Sequence, residues 1–257
     1  MKIKNAFKTY AKTYAKTYAK TSAKFLLHIL VPDTCLHCGV DLKFNYPYPL
    51  CKDCESKLEP LPELHCKRCG VVLFSGGAHC YRCRGHKAEN YKCSVIRSAL
   101  VYNPQIRSVI HHFKYGQKSK LANYLGDFLS RAFKEYPQLA DCNCIIPVAL
   151  MPKKMKMRGF NQAGLLGRHL SKSLNINFYD DALKRVQYNK SQTDLTREGR
   201  IENVRDAFMV ARPEVIKGKN VLLIDDVCTT ASTLEECARV LKASKASSVK
   251  ALTVARE

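Results

Sequence analysis

A chain of 257 residues with 46% hydrophobic composition has room for one α/β domain of ordinary size, a real core and a small accessory module. Its net charge is +21, and +14 without the seven lysines before Phe25, so an anionic partner is expected, nucleic acid or a phosphorylated small molecule, over the plainer alternative of a merely basic protein. No apolar run approaches the roughly 20 residues of a membrane span; the longest, residues 25–31, follows lysines like a signal peptide but leads into Pro32 and a cysteine motif, and the expected location is cytoplasmic.

Residues 8–24 repeat a tetrapeptide, K-T-Y-A three times and then K-T-S-A. In a helix this period lays down slowly rotating stripes of Lys and of Tyr10, Tyr14 and Tyr18, a surface suited to single-stranded nucleic acid. The preferred reading is plainer: residues 1–24 form a tolerated basic tail of low complexity.

Residues 25–92 form a second segment, rich in cysteine. Of the thirteen cysteines, eight make four C-x-x-C pairs, which in a reducing compartment are metal ligands before they are disulfides. Cys35 and Cys38 pair in sequence with Cys51 and Cys54, and Cys66 and Cys69 with Cys80 and Cys83. Each half has the spacing of a structural, tetrahedral zinc site, whose four thiolates leave no open position for catalysis. Gly39 and Gly70 follow the first knuckle of each half, where a tight turn points backbone N–H groups at sulfur. Sequential pairing is preferred because the halves repeat one pattern; interleaved pairing, a single zinc with four spare cysteines, and a His37, His65, His79 or His86 ligand stay open. Cys93, Cys142, Cys144, Cys228 and Cys237 read as small buried hydrophobes.

Residues 93–257 alternate strand and helix, the signature of a mostly parallel sheet with right-handed crossovers. Strands are expected at 95–102, 144–150, 206–210 and 249–254, and helices at 104–113, with Pro at its start, at 121–133 and at 161–174. Residues 151–158, M-P-K-K-M-K-M-R, read as a basic loop after a strand adjacent to the acidic strand described next. Its Lys153, Lys154, Lys156 and Arg158 suit an anion, with Arg158 bidentate on a pyrophosphate. A polar stretch, residues 190–205, carries Gln192, Arg197, Arg200, Asn203 and Arg205, in the manner of loops that close over phosphates.

The most informative segment is V-L-L-I-D-D-V-C-T-T-A-S-T, residues 221–233. A buried strand delivers Asp225 and Asp226 to the carboxyl edge of the sheet, where two acids suit sugar hydroxyls or magnesium. After Val227 and Cys228, residues Thr229, Thr230, Ala231, Ser232 and Thr233 offer hydroxyls and N–H groups at the start of a helix, which suits a phosphate.

This loop resembles the phosphoribosyl-pyrophosphate (PRPP) loop of type I phosphoribosyltransferases, which implies ribose contacts for Asp225 and Asp226 and a 5′-phosphate held by the turn. Ala231 stands where glycine is usual; that costs little at negative φ and strain at positive φ. Residues 25–256 together resemble the ComF family: Pro32 before the first knuckle, the double ribbon, F-K-Y-G at Phe113 to Gly116, R-G-F-N-Q at Arg158 to Gln162, R-x-x-N-x-x-x-A-F from Arg200 to Phe208, and the Asp-Asp loop. The resemblance implies a type I phosphoribosyltransferase-like α/β domain behind a zinc-ribbon module, with one or two structural zinc ions and magnesium bound with PRPP. It also implies a late role in natural transformation on incoming single-stranded DNA, beside an uptake helicase and other competence proteins, at the inner face of the membrane through those partners. Lys114, Lys154, Lys156 and Arg200 are the expected DNA contacts, and Arg158 and Lys153 the diphosphate contacts. Binding of PRPP is expected before turnover; the alternative is an active transferase, with Asp225 and Asp226 catalytic, passing ribose 5-phosphate to an acceptor. A structural adaptor with a vestigial pocket is the blander possibility.

Overall fold

The computed structural model describes His28 and residues 30–84, 91–186 and 205–257. The tetrapeptide repeat, His86 and Gln192, Arg197, Arg200 and Asn203 lie outside the described residues. The chain divides between Ser56 and Lys57 into two compact units. The first holds Cys35, Cys38, Cys51 and Cys54, with a one-turn helix at Lys52–Glu55. The second holds the other four paired cysteines and the α/β domain.

In chain order the second unit contains β1 (Val95–Val101), α1 (Pro104–Tyr115), α2 (Leu121–Glu135), β2 (Cys144–Pro147), α3 (Pro152–Arg158), α4 (Gln162–Leu174), β3 (Asn177–Phe178), β4 (Leu183–Arg185), β5 (Phe208–Val210), β6 (Asn220–Cys228), α5 (Ser232–Ala243) and β7 (Ser248–Arg256). Five strands form a parallel sheet in the order β1-β7-β6-β2-β3, as the alternating pattern predicts. Val221 to Ile224 are all buried because both faces of a parallel sheet are covered. Val221 and Leu223 share a core with Leu234, Cys237, Ala238 and Leu241 of α5; by strand alternation Leu222 and Ile224 face the other side, where α2 and α4 pack on the sheet. Cys93, Cys142, Cys144, Cys228 and Cys237 are all buried, as small hydrophobes should be.

Two expectations are corrected. Residues 151–158 are not a loop: Pro152 opens α3, and Gly159, at φ +79, closes it with its N–H on the Met155 carbonyl at 2.8 Å. The 206–210 strand is shorter and lies outside the main sheet, since Phe208–Val210 pairs antiparallel with Leu183–Arg185 and Asp206 sits in a left-handed turn. The Val186 N–H to Ala207 carbonyl bond, 2.9 Å, brings together the two points where the described chain leaves β4 and re-enters β5.

The outer edge of β1 is covered by the segment that leads into the second cysteine set: Leu61 N–H bonds Ala99, Val101 N–H bonds Glu59, and Ile96 N–H bonds Arg68 at 2.7 Å. Arg97, 2% exposed, donates to the carbonyls of Ile96 and Lys67 and stacks on Tyr136. The second cysteine set is therefore built into the α/β domain.

Candidate functional site

β2 ends at Pro147, paired with Ile224, while β6 runs on to Cys228 against β7. Asp225 is thus the first β6 residue past the end of β2. The connection from β2 goes outward to β3 and that from β6 goes the other way to β7. The crevice between these diverging connections is where open α/β sheets bind ligands, and both carboxylates stand on its rim.

Asp226 is buried and forms an ion pair with Lys114 Nζ at 2.8 Å. Lys114 belongs to F-K-Y-G, and its neighbours reach R-G-F-N-Q. Arg158 donates to Gln162 Oε1 at 3.0 Å and to the Tyr115 hydroxyl at 3.3 Å, with its guanidinium over the Tyr115 ring. Gln162, 2% exposed, donates to the Phe113 carbonyl, and the rings of Phe113 and Phe160 meet at 5.7 Å. Two motifs whose Tyr115 and Arg158 stand 43 residues apart in sequence therefore form one network that places a cation on Asp226.

Asp225 is half-buried, and its Oδ1 accepts the Asp226 N–H at 2.9 Å. Burial, and next the charge of Asp226, push its carboxyl up to about 7, against the pull of Lys114 and Arg185. Arg185, at the end of β4, had no signal in the sequence reading beyond its place beside the polar stretch. Lys153, Lys154 and Lys156 lie on the exposed face of α3. Packing around Lys154 lowers its pKa, and the charges of Arg158, Arg185 and Lys114 lower it further, so this helix contributes to one positive field with the site.

Beyond the acids, Val227 is half-buried and Cys228 buried; Thr229 and Thr230 turn the chain toward α5. Ala231 is the N-cap of α5 at φ +66, the left-handed case that strains a non-glycine residue. Thr230 Oγ1 and Ser232 Oγ are 2.9 Å apart, and Ser232 and Thr233 open the first turn. Arg256, also missed in the sequence, fixes this turn: its guanidinium donates to the carbonyls of Cys228, at 2.8 Å, and Thr229, and to Cys69 of the second cysteine set at 3.2 Å. Ala231→Gly is expected to stabilise the fold by at most about 1 kcal/mol, relief of roughly 1–2 kcal/mol less glycine's entropy; a higher denaturant midpoint at unchanged slope would register it.

The paired cysteines gather sequentially into two sets, Cys35, Cys38, Cys51 and Cys54, and Cys66, Cys69, Cys80 and Cys83, with the sulfurs of each set within 4.8 Å of one another. Cys38 and Cys51 Sγ are 3.7 Å apart, as are Cys69 and Cys80 Sγ. A zinc tetrahedron with bonds of about 2.3 Å has edges of about 3.8 Å, so both sets fit zinc. The knuckles repeat atom for atom: Gly39 and Gly70, at φ +76 and +70, bond the carbonyls of Cys35 and Cys66. Burial would raise the Cys35 thiol, but N–H groups of Cys38, Cys51 and His37 outweigh it and bring it to about 6; Cys66 is brought to about 7 in the same way by Cys69, Cys80 and Arg68. Burial drives Cys54 and Cys83 upward, so four thiolates coexist only around a cation. Among the described residues no histidine joins either set.

The model of the double zinc ribbon domain matches residues 26–84, and that of the phosphoribosyl transferase domain matches residues 160–257. The chain is 30% identical to Competence protein F of Haemophilus influenzae over 81% of its own length and 90% of the relative's. It is 27% identical to the DNA utilization protein YhgH of Escherichia coli, covering 89% and 99%, and 29% identical to Competence protein ComFC of Bacillus subtilis, covering 80% and 84%. Among the described residues no helix is long and apolar enough to cross a membrane. With both domain models in order and a relative matched almost end to end, the chain belongs to the ComF family of competence proteins, a double zinc ribbon joined to a phosphoribosyltransferase-type α/β domain.

Proposed function

We propose that this ComF protein handles incoming single-stranded DNA in natural transformation and that the crevice at the end of β6 binds PRPP. The observation that carries the reading is the halt of β2 opposite Ile224, which leaves Asp225 and Asp226 at the diverging connections with Lys114 and Arg185 beside them. In this reading Asp225 and Asp226 take the ribose hydroxyls. The turn from Thr229 to Thr233 takes the 5′-phosphate through N–H groups and hydroxyls at the head of α5. Arg158 and Lys153 serve the diphosphate, and magnesium bound with it would neutralise its charge. Lys114 spans both roles, holding Asp226 now and facing an anion once ligand is bound.

Lys114, Lys154 and Lys156, with Arg200, supply the DNA-facing charge. About four phosphate contacts on a single strand correspond to a roughly 50-fold loss of affinity between 50 and 200 mM salt. Filter binding of an oligonucleotide across that range is expected to show this slope, and Lys154→Gln/Lys156→Gln to flatten it; a flat response in the wild type would remove the DNA role. In cells, Asp225→Ala/Asp226→Ala is expected to lower transformation to the level of a null strain at unchanged protein abundance. Wild-type transformation from that variant would make the pocket dispensable.

A further inference from the structure

A second cavity, of about 360 Å³, opens beside the phosphate turn, between Thr230 and Ala231 on one side and the second zinc ribbon on the other. Its volume stands at the small end for ligand sites and suits a nucleobase with its sugar. On the side away from the turn, Arg68 of the ribbon lies over the ring of Tyr91, which follows the ribbon in the chain, at 4.6 Å and donates to the Tyr91 carbonyl at 3.0 Å, while Arg82 and Val72 continue the lining. A ring backed by a guanidinium is a platform for stacking a base. The spacing between platform and turn is fixed, because Arg256 ties the Cys69 carbonyl to those of Cys228 and Thr229. Glu235 adds a second tie by accepting the N–H groups of Lys92, at 2.8 Å, and Cys93.

From this juxtaposition we infer that the second zinc ribbon supplies a base-binding wall, so that the protein takes a nucleoside 5′-phosphate with its phosphate on the turn and its base against Tyr91. The inference rests on the phosphate role given to residues 229–233. It accounts for the ribbon being built into the α/β domain, since the zinc then holds one side of a ligand site. The base comes from a free mononucleotide or from the 5′-terminal nucleotide of a single strand, and the two sources share the same chemistry.

The test is calorimetry on the full-length, zinc-loaded protein with deoxyadenosine monophosphate, with PRPP, and with oligonucleotides bearing a 5′-phosphate or a 5′-hydroxyl. Tyr91→Ala, and Val72→Trp, which fills the cavity without removing the platform, are expected to weaken the mononucleotide about tenfold or more, while Tyr91→Phe keeps its affinity. PRPP, which has no base, should bind all three as it binds the wild type. Weakening of the 5′-phosphorylated strand alongside the mononucleotide marks a strand end as the source, and weakening of the mononucleotide alone marks a free nucleotide. Absence of mononucleotide binding in the wild type, unchanged affinity in variants that keep two zinc ions, or equal losses for mononucleotide and PRPP would each overturn the inference. Failure of PRPP to bind the wild type would instead count against the pocket proposed above, and the Tyr91 dependence of the mononucleotide reads separately from it.

Discussion

Cys83→Ser is expected to cut bound zinc from two ions per chain to one and to lower the melting temperature of the α/β domain by roughly 10–20 °C. A structural zinc contributes about 10–16 kcal/mol of apparent binding free energy, more than a small module holds in reserve, so the second ribbon unravels. Its loss then reaches the domain through named groups. Ile96 N–H loses the Arg68 carbonyl, Arg97 loses the Lys67 carbonyl, and Arg256 loses the Cys69 carbonyl. Arg97 and Arg256 are buried cations, and each group left without its partner costs about 1–3 kcal/mol, which at the size of this domain is a shift of a few degrees per kcal/mol. Cys54→Ser removes the other zinc but lies in the other compact unit, so the α/β transition should move far less. Zinc titration with a chromophoric chelator and calorimetric melting of both variants check this; an unmoved α/β transition in Cys83→Ser would contradict the coupling.

Asp225→Asn is expected to stabilise the protein while removing ligand. The Asp225 carboxyl is raised, by burial first and by Asp226 next, from an ordinary 3.8 to about 7. A raised acid binds its proton more tightly folded than unfolded, so stability falls as pH climbs from about 4 to about 7 and the cost is complete above that. At about 1.4 kcal/mol per pKa unit the gain from asparagine is about 4 kcal/mol at pH 8 and about 1–2 kcal/mol at pH 5. Denaturant unfolding of both proteins at the two pH values measures it. A carboxylate held against its own stability is what a binding site requires and a scaffold does not; a neutral or destabilising Asp225→Asn at pH 8 would make the acid structural.

The residues that act through local chemistry were legible in the sequence. Residues 221–224 announce a buried parallel strand by their unbroken apolar run, and the paired cysteines announce tetrahedra by spacing alone. The family motifs gave the constellation, but not its wiring: nothing in F-K-Y-G says that Lys114 will meet Asp226, because that contact joins α1 to β6 across more than a hundred residues of chain. The helix α3 escaped because K-K-M-K-M-R has no apolar face to show a period, although Pro152 and Gly159 bracket it with ordinary start and stop residues. Strands β3 and β4, two and three residues long, are too short to carry an alternation. Arg185 and Arg256 look like any other cations in so basic a chain; only burial and partners distinguish them, and those come from packing.

Calorimetric titration of PRPP with magnesium into the wild type and into Asp225→Ala/Asp226→Ala, at a pH near 8 where Asp225 is ionised, bears most directly on the acid pair and its turn. The wild type should give saturable heat with one site per chain, and the variant, shown to be folded by a cooperative melt, should give none. Equal heats from the two proteins would contradict the assignment of the crevice at the end of β6 to a phosphorylated pentose.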